Sequence, residues 1–359
     1  MHALLDRRRF LGDTGTGLGA VALAWLLARD GAAAPHHAAK AKRVIHIFSP
    51  GGVSHVDTFD HKPELARLDG TALEGRGPVD TFFAQPGALR KSAYGFKQHG
   101  RSGAWVSDLF PHLSGCVDDI AFVHSMVARS PSHQPACFQM NTGFTLAGFS
   151  SLGAWLSYGL GRLSDDLPTF VVLPDPRGLV NGGSANWTNG FLPAEHQGTV
   201  FEAAAAEPVR NLTPPASVSA DARRDGLRLL TQLNAGYAAR DPLDSSLAGR
   251  LRAYELAGRM QASIPEALAF ADETAETKAL YGIDDPVVGP TARNFLLARR
   301  LVERGVRFVQ VYNGGALGSP RINWDAHENV RDNHDQQGRL LDKPCAALLH
   351  DLKRRGLLA

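Results

Sequence analysis

Apolar runs alternate with amphipathic stretches along this chain, which predicts strands and helices in alternation. Four short runs rich in β-branched and aromatic residues have the pattern of buried strands: RVIHIFSPGG at 43–52, DIAFVHSM at 119–126, PTFVVLPDP at 168–176 and VRFVQVYNGG at 306–315. Apolar residues at helical spacing mark the stretches 151–163, 221–240, 244–261, 265–281 and 291–305, and the last of these ends at Gly305.

This order of elements predicts an α/β protein with a doubly wound, mostly parallel sheet and helices on both of its faces. Ligands of such sheets bind at the carboxyl ends of the strands. Polar segments follow three of the predicted strands: GGVSHVDTFD, ARSPSHQPA, and the stretch from NGG to NWDAH. We expect these three segments to meet at one edge of the sheet and to form a site. The Gly-, Pro- and Asn-rich segment 177–220 is predicted to be an irregular excursion, either a lid over that edge or a packed structural loop.

The composition is that of an ordinary folded protein. Apolar residues make up 44% of the chain and charged residues 21%, with 38 Lys and Arg against 36 Asp and Glu. This balance predicts no basic surface for nucleic acid, and we expect no nucleic-acid partner. The cysteines Cys116, Cys137 and Cys345 lie far apart without a CxxC pair, so we expect buried free thiols rather than a zinc ribbon or a disulfide framework.

The N-terminus has the pattern of a twin-arginine (Tat) export signal. Consecutive arginines in DRRRFLG precede a Gly- and Ala-diluted apolar stretch at 16–28, and the alanines at 32–34 fit a cleavage site. We therefore expect the Tat export machinery to act on residues 1–34 and to deliver the domain at 35–359 to the periplasm or cell envelope. No stable transmembrane span would remain after processing. The alternative is an uncleaved first helix that is membrane-anchored or buried.

Histidine and aspartate recur at i, i+2 spacing after the first and last predicted strands. Asp325 and His327 lie in NWDAHENVRDNH, and His55 and Asp57 lie in GGVSHVDTFD. Residues two apart leave an extended backbone on the same side, so each pair offers mixed nitrogen and oxygen ligands suited to zinc or manganese. The competing interpretation is that each pair makes only hydrogen bonds within its own loop.

Ser132 and His133 occupy a position where a nucleophile and its base could act. They precede a helix that is predicted to start near Pro135, and nucleophiles commonly sit between a strand and a helix. A serine here is equally suited to capping the helix, and neighbours in sequence seldom face each other. Both interpretations remain open from the sequence.

His334 stands just before a helix predicted over 335–356, which Pro344 is expected to bend or break. The amides and dipole at the start of a helix favour an anion nearby. His334 is therefore predicted to orient a ligand or to contact a phosphate or sulfate oxygen. The alternative is a histidine of the cap region that makes only local hydrogen bonds.

Several blocks resemble the DUF1501 family, whose members are exported and often labelled sulfatases within the alkaline phosphatase-like superfamily. These blocks extend over 43–359 and include GGVSHVDTFDHKP, SHQPACFQMNTG, LPTFVVLPDPRG, NFLLARRLVERGVRFVQVY and NWDAHENVRDNHDQQGRLLDKPCAALLHDLKRRGLL. The resemblance implies an alkaline phosphatase- or sulfatase-like fold with a metal-centred pocket. It also implies that Asp57 is a metal carboxylate, that Asp325 and His327 are a later ligand pair, and that the nucleophile position falls near Ser132. There the family usually carries Asn-His.

The resemblance also implies an incomplete domain. In relatives the RRGLL segment is followed by a strand with an EFGR motif and by a block resembling GRDHN, which would provide further metal ligands. This sequence stops at Ala359. The expectation is a sheet that lacks its last strands and a metal site that lacks part of its ligands.

These observations predict an exported, metal-dependent hydrolase that acts on sulfate or phosphate esters. A divalent metal such as Zn, Ca or Mn would polarise the ester oxygen, and His133 or His334 would move a proton near neutral pH. The substrate is expected to be an anionic ester or glycan. The alternative is a non-catalytic exported protein that uses the same pocket to bind an anionic glycan or a partner.

Overall fold

The structure is a computed structural model that describes Trp25 and residues 38–73, 87–205, 207–209, 217–238, 254–256, 258–260, 264–316 and 322–358. The predicted export signal lies, except for Trp25, outside these described residues. None of the described helices is both long and apolar enough to cross a membrane.

The described elements are six strands, seven α-helices and several short 3-10 helices. The strands are β1 (Val44–Phe48), β2 (Phe96–His99), β3 (Ala104–Ser107), β4 (Phe170–Leu173), β5 (Thr199–Val200) and β6 (Phe308–Tyr312). The helices are α1 (Pro63–Arg67), α2 (His133–Thr142), α3 (Leu152–Leu160), α4 (Ala220–Ala238), α5 (Ala275–Tyr281), α6 (Gly289–Glu303) and α7 (Val330–Arg354). The 3-10 helices are His55–Asp57, Leu113–Asp119, Gly183–Trp187, Ala194–His196 and Phe270–Asp272.

The main sheet has four strands in the order β1-β6-β4-β5, and all three neighbouring pairs are parallel. Val44 of β1 and Phe170 of β4 both lie beside Phe308 of the central strand β6. The prediction of an α/β protein with a mostly parallel sheet is confirmed. So are the strands predicted from RVIHIFSPGG, PTFVVLPDP and VRFVQVYNGG.

Different helices cover the two faces of this sheet, because successive side chains of a strand point to opposite faces. On one face, Val171 of β4 and Val309 of β6 belong to a buried cluster with residues of α5, α6 and α7. On the other face, Phe170 and Phe308 pack with Cys137 of α2 and with two leucines of α3. The inner strands β4 and β6 are thus buried from both sides.

The prediction of a strand at 119–126 is wrong. The 3-10 helix Leu113–Asp119 precedes an irregular segment there, and Val123 and Met126 are 66% and 65% exposed. An apolar run becomes a buried strand only when a neighbouring strand and two layers cover it, and this segment has neither. A strand pair that we did not predict, β2 with β3, forms an antiparallel hairpin instead, with Gly100 and Gly103 at positive φ in its turn.

The predicted helices are largely confirmed, with shifted ends. The stretch 265–281 is divided in the structure, since Thr274 ends the preceding segment and caps α5 by accepting a hydrogen bond from the amide of Thr277. Only part of 244–261 is described, and residues 254–256 and 258–260 are helical there. The segment 177–220 is irregular as predicted where it is described, apart from two 3-10 helices and the short strand β5.

The last helix, α7, differs from its prediction in where it starts and in its course at Pro344. It starts at Val330 rather than 335, because Asn329 accepts hydrogen bonds from the amides of Arg331 and Asp332 and caps it earlier. It also continues through the buried Pro344 without a break. Packing of the buried face against α5 and α6 outweighs the lost backbone hydrogen bond at that proline.

Candidate metal centre

The loop after β6 holds Asp325 in a fixed position at the carboxyl end of the sheet. Trp324 is fully buried, and its indole N–H donates to the backbone oxygen and to Oδ1 of Asn313, at 3.2 and 2.9 Å. The side chain of Asn323 accepts a hydrogen bond of 3.0 Å from the amide of Asp325. These contacts leave the carboxylate of Asp325 only 8% exposed.

The turn after β1 packs directly against this loop. The amide of Trp324 donates to the backbone oxygen of Pro50 at 3.0 Å. Gly51 has a φ of +108°, and a Cβ at this position would lie 2.6 Å from the amide nitrogen of Asp325. Only glycine fits this approach, so the segment PGG is what allows the first and last strand-end segments to meet.

His133, Asp325 and His327 form a group whose candidate ligand atoms all lie within 4.8 Å of one another. Nε2 of His327 is 2.8 Å from Oδ1 of Asp325, and Nε2 of His133 is 3.4 Å from Oδ2. His133 reaches this point as the first residue of α2. The predicted meeting of ARSPSHQPA with NWDAH is therefore confirmed, although the former does not follow a strand.

The three side chains match the donor set of a transition-metal site. Two imidazole nitrogens and a carboxylate suit zinc or manganese, whereas calcium prefers six or more oxygens. Ligand atoms around a tetrahedral zinc are separated by about 3.3 Å, given bonds of about 2.0–2.1 Å. The 3.4 Å between His133 and Asp325 fits this spacing, and the His327 side chain needs only a small movement away from its hydrogen bond. The set therefore fits a divalent metal.

The group is closed on one side and open on the other. The side chain of Asp325 is 8% exposed, that of His133 is 26% exposed and that of His327 is 54% exposed. A catalytic metal keeps a coordination position free for water or substrate. The exposed side near His327 is where such a position would be.

Asp57, predicted as a ligand, has other partners in the structure. Its carboxylate accepts hydrogen bonds from the hydroxyls of Ser54 and Ser92 and from the amide of Ala93, at 2.6–2.8 Å. Burial acts to raise the pKa of Asp57, but these hydrogen bonds, together with the nearby His334, hold it below its ordinary value. Asp57 belongs to a network that fixes the loop after β1 and is outside the group around Asp325.

His334 supports the same loop. It lies inside α7 rather than before it and is 1% exposed, and its Nε2 accepts a hydrogen bond of 3.0 Å from the amide of Ser54. Burial lowers the pKa of His334, and the nearby Asp57 opposes this only in part. A neutral His334 thus ties α7 to the loop that carries the predicted residues His55 and Asp57.

The remaining predicted residues lie near this region without joining the group. His55 is exposed and lines a cavity of about 300 Å³ with Asp60 and His124. Ser132 is the cap residue of α2, but its side chain makes no capping hydrogen bond. The roles predicted for Ser132 and His55 stay predictions.

An ion pair between the buried Asp175 and the partly exposed Arg177, at the end of β4, was not predicted from the sequence. Asp175 accepts hydrogen bonds from the guanidinium of Arg177 at 2.7 and 2.8 Å and from the amide of Gly314 at 2.6 Å. Arg177 also donates to the side chain of Gln337 on α7. The sequence did indicate a functional position here, because LPDPRG places an aspartate at the end of a predicted strand. This pair joins the carboxyl ends of β4 and β6 to α7.

The fold and the site define a parallel α/β protein with a candidate metal centre at the carboxyl end of its sheet. The chain belongs to the family described as protein of unknown function (DUF1501), whose profile matches residues 41–359. No curated protein and no solved structure matches the chain.

Proposed function

We propose that this protein is a metal-dependent hydrolase of sulfate or phosphate esters, with a doubly wound fold of the alkaline phosphatase-like type. The observation that carries the proposal is the group His133, Asp325 and His327 at the carboxyl end of a parallel sheet. In open α/β sheets this edge is where ligands bind. The superfamily assignment also draws on the sequence resemblance described above.

In this proposal the three side chains hold one divalent cation. A bound ion at this place supplies a Lewis acid for an ester oxygen and favours an anionic substrate. Asp325 lies between the two imidazoles and brings them together, while Asn323 and Trp324 fix its backbone. His133 thereby takes the role of a ligand instead of the proton carrier that we expected.

An anionic ester or glycan is the substrate class of this proposal, because a bound divalent cation would attract negative charge. The carboxylate of Asp325 is the buried member of the group, and His327 faces solvent, so a large substrate can approach from that side. Zinc and manganese suit the donor set better than calcium. Ser132 and His334 are the remaining candidates for nucleophile and proton carrier in this proposal.

Export by the Tat pathway to the periplasm or cell envelope is part of the proposal. It rests on the sequence of residues 1–34, where DRRRFLG precedes a mild apolar stretch. A protein exported in the folded state can acquire its metal before it leaves the cytoplasm. The Tat export machinery would then be a transient partner.

The test is a titration of the chelator-treated chain with Zn²⁺ and Mn²⁺ by calorimetry. We expect one site per chain, and we expect Asp325→Asn and His327→Gln to weaken binding at least tenfold because each removes a ligand. His55→Gln is the matched control, since it changes an exposed histidine outside the group. Equal weakening in His55→Gln and His327→Gln would contradict the assignment of ligands.

Turnover is measured on the same proteins with 4-nitrophenyl sulfate and 4-nitrophenyl phosphate. Metal-dependent release of nitrophenol that is lost in Asp325→Asn supports the hydrolase. Metal binding with no turnover of these or of sulfated glycans supports the non-catalytic binding protein instead. No binding of either metal would refute both the metal centre and the hydrolase.

A further inference from the structure

Three aromatic side chains lie together on the surface beside helix α3. Trp155 and Tyr158 belong to α3, and Phe191 lies in the loop after the 3-10 helix Gly183–Trp187. The ring of Trp155 contacts those of Phe191 and Tyr158 edge to face, with centroids 5.5 and 6.3 Å apart. Tyr158 is 50% exposed and Phe191 is 67% exposed, whereas Trp155 is partly buried. These three side chains form what is named here the aromatic patch.

An imidazole and a carboxylate border the aromatic patch. The ring of His196 meets that of Tyr158 edge to face, with centroids 5.4 Å apart. A hydrogen bond of 2.9 Å joins Nδ1 of His196 to the hydroxyl of the buried Ser157, which fixes the orientation of the imidazole. The other ring nitrogen is 3.8 Å from the carboxylate of Glu195, and both side chains are partly exposed. Hydrogen-bonding groups are thus held next to the exposed rings.

The loop that carries Phe191 is anchored to the start of α3. The hydroxyl of Ser150 donates to the backbone oxygen of Asn189 at 2.7 Å, and the amide of Asn189 donates to the side chain of Gln197 at 3.0 Å. The side chain of Asn189 in turn donates to the backbone oxygen of Leu192 at 2.5 Å. Groups that are already in place lose little conformational freedom when a ligand binds. The aromatic patch is therefore preorganised although it is exposed.

The size of the aromatic patch favours a small ligand over a protein. An aromatic side chain offers about 150–250 Å² of surface, so at their exposed fractions the three together present roughly 300 Å². A stable protein interface needs about 800 Å² from each partner. The rings by themselves are too small for a second copy of this chain and are large enough for one or two sugar rings.

The chemistry of the aromatic patch matches a sugar. A sugar ring has C–H bonds on its face, and the negative face of an aromatic ring attracts them. Its rim carries hydroxyls that both donate and accept hydrogen bonds, which suits the carboxylate of Glu195 and the imidazole of His196. A cage for an organic cation holds its rings apart around the ion. The rings here touch edge to face and form a surface instead.

We propose that the aromatic patch binds neutral sugar units of a glycan. A sugar stacks on the exposed rings of Tyr158 and Phe191, and its hydroxyls bond to Glu195 and His196. Negatively charged units are disfavoured because they would face the carboxylate of Glu195. This site is separate from the metal centre and goes beyond the proposed hydrolase, since it needs no metal.

The position of the aromatic patch in the fold agrees with a separate site. Helix α3 contacts β4, β6 and the 3-10 helix Ala194–His196, which leads into β5. β5 is at the opposite end of the strand order from β1. His133 of the metal centre begins α2, and that helix extends for about 14 Å before the chain turns toward α3.

The test is affinity electrophoresis of the full chain in native gels that contain hydroxyethyl cellulose, galactomannan or pullulan. All three polysaccharides are neutral. We expect at least one of them to retard the chain, to the same extent with and without EDTA. Retardation by none of them would overturn the proposal. Retardation that is lost in EDTA would also overturn it, because the glycan would then be bound at the metal centre.

Substitutions on the retarding polysaccharide locate the site. Phe191→Ala removes an exposed ring and should weaken binding roughly fivefold, whereas Phe191→Tyr keeps a ring and should retain it. Trp105→Ala is the matched control, because it removes an exposed aromatic side chain on β3, outside the aromatic patch. Ser157→Ala removes the hydrogen bond that orients His196 and should weaken binding about twofold to threefold. Equal retardation of Phe191→Ala and Phe191→Tyr would overturn the proposal.

Two further results would identify a different occupant. Glu195→Gln keeps a hydrogen-bonding side chain and should retain glycan binding, so loss of binding in this variant together with competition by choline would show a cation site. A concentration-dependent dimer seen by light scattering and lost in Phe191→Ala would show that a second copy covers the aromatic patch. Either result would refute the proposal.

Discussion

His46 is a partly buried histidine that we expect to make the stability of this protein depend on pH. It lies in the middle of β1 between the rings of Phe48 and Phe308, whose centroids are 6.1 and 6.0 Å away. Its Nδ1 is buried without a hydrogen-bond partner. Burial lowers the pKa of His46 from 6.5 to about 4, because the apolar surroundings disfavour the charged imidazolium.

The sign and size of this pH dependence follow from the difference between the pKa values of His46 in the folded and unfolded chain. Between pH 6.5 and about 4 the unfolded chain binds a proton at His46 and the folded chain does not, so stability falls as pH falls through this window. Above the window His46 contributes no pH dependence. The difference of about 2.5 pH units at about 1.36 kcal/mol each corresponds to a loss of about 3 kcal/mol.

The perturbation is His46→Phe, which keeps an aromatic ring in the sheet and removes the titrating group. The free energy of unfolding in urea is measured for the wild type and the variant at several pH values from 7 to 4. Other groups titrate in both proteins and cancel in the difference. We expect the free energy of unfolding of the variant, relative to that of the wild type, to rise by about 3 kcal/mol as the pH is lowered from 7 to 4. A difference that stays constant over this range would refute the reasoning.

Two further substitutions test how the core positions the site. Trp324→Phe should lower the free energy of unfolding by about 1–3 kcal/mol, because it leaves buried acceptors of Asn313 without their donor. The same substitution should weaken metal binding at Asp325. Unchanged unfolding in urea would contradict this prediction. Gly153→Ala should lower the free energy of unfolding by about 1–3 kcal/mol, since its Cβ would lie 2.6 Å from the ring of Phe170. Gly159→Ala on the same helix meets no atom within 4 Å and should raise the free energy of unfolding by about 0.5–1 kcal/mol. Equal melting temperatures for the two alanine variants would refute that account.

The sequence by itself determined three of the four strands of the main sheet, β1, β4 and β6, and the kind of residue at the carboxyl edge of that sheet; the short strand β5 was not predicted. A strand buried on both faces has to be apolar at nearly every position, so β1, β4 and β6 are visible as short runs that end in Pro or Gly. The pair Asp325 and His327 was visible for the same reason, because it follows such a run. DIAFVHSM has a similar composition, but apolar composition cannot show whether a neighbouring strand is present to pair with it.

Only the tertiary structure decided which of the candidate side chains stand together. His133 joins Asp325 because α2 begins beside the loop after β6, and Gly51 lets the turn after β1 pack against that loop. Asp57 is instead held by a hydrogen bond from Ser54 in its own loop and by another from the amide of Ala93, which is distant in sequence. Contacts between residues far apart in sequence depend on how the loops pack over the sheet, and the local pattern that predicts a strand carries no information about that packing.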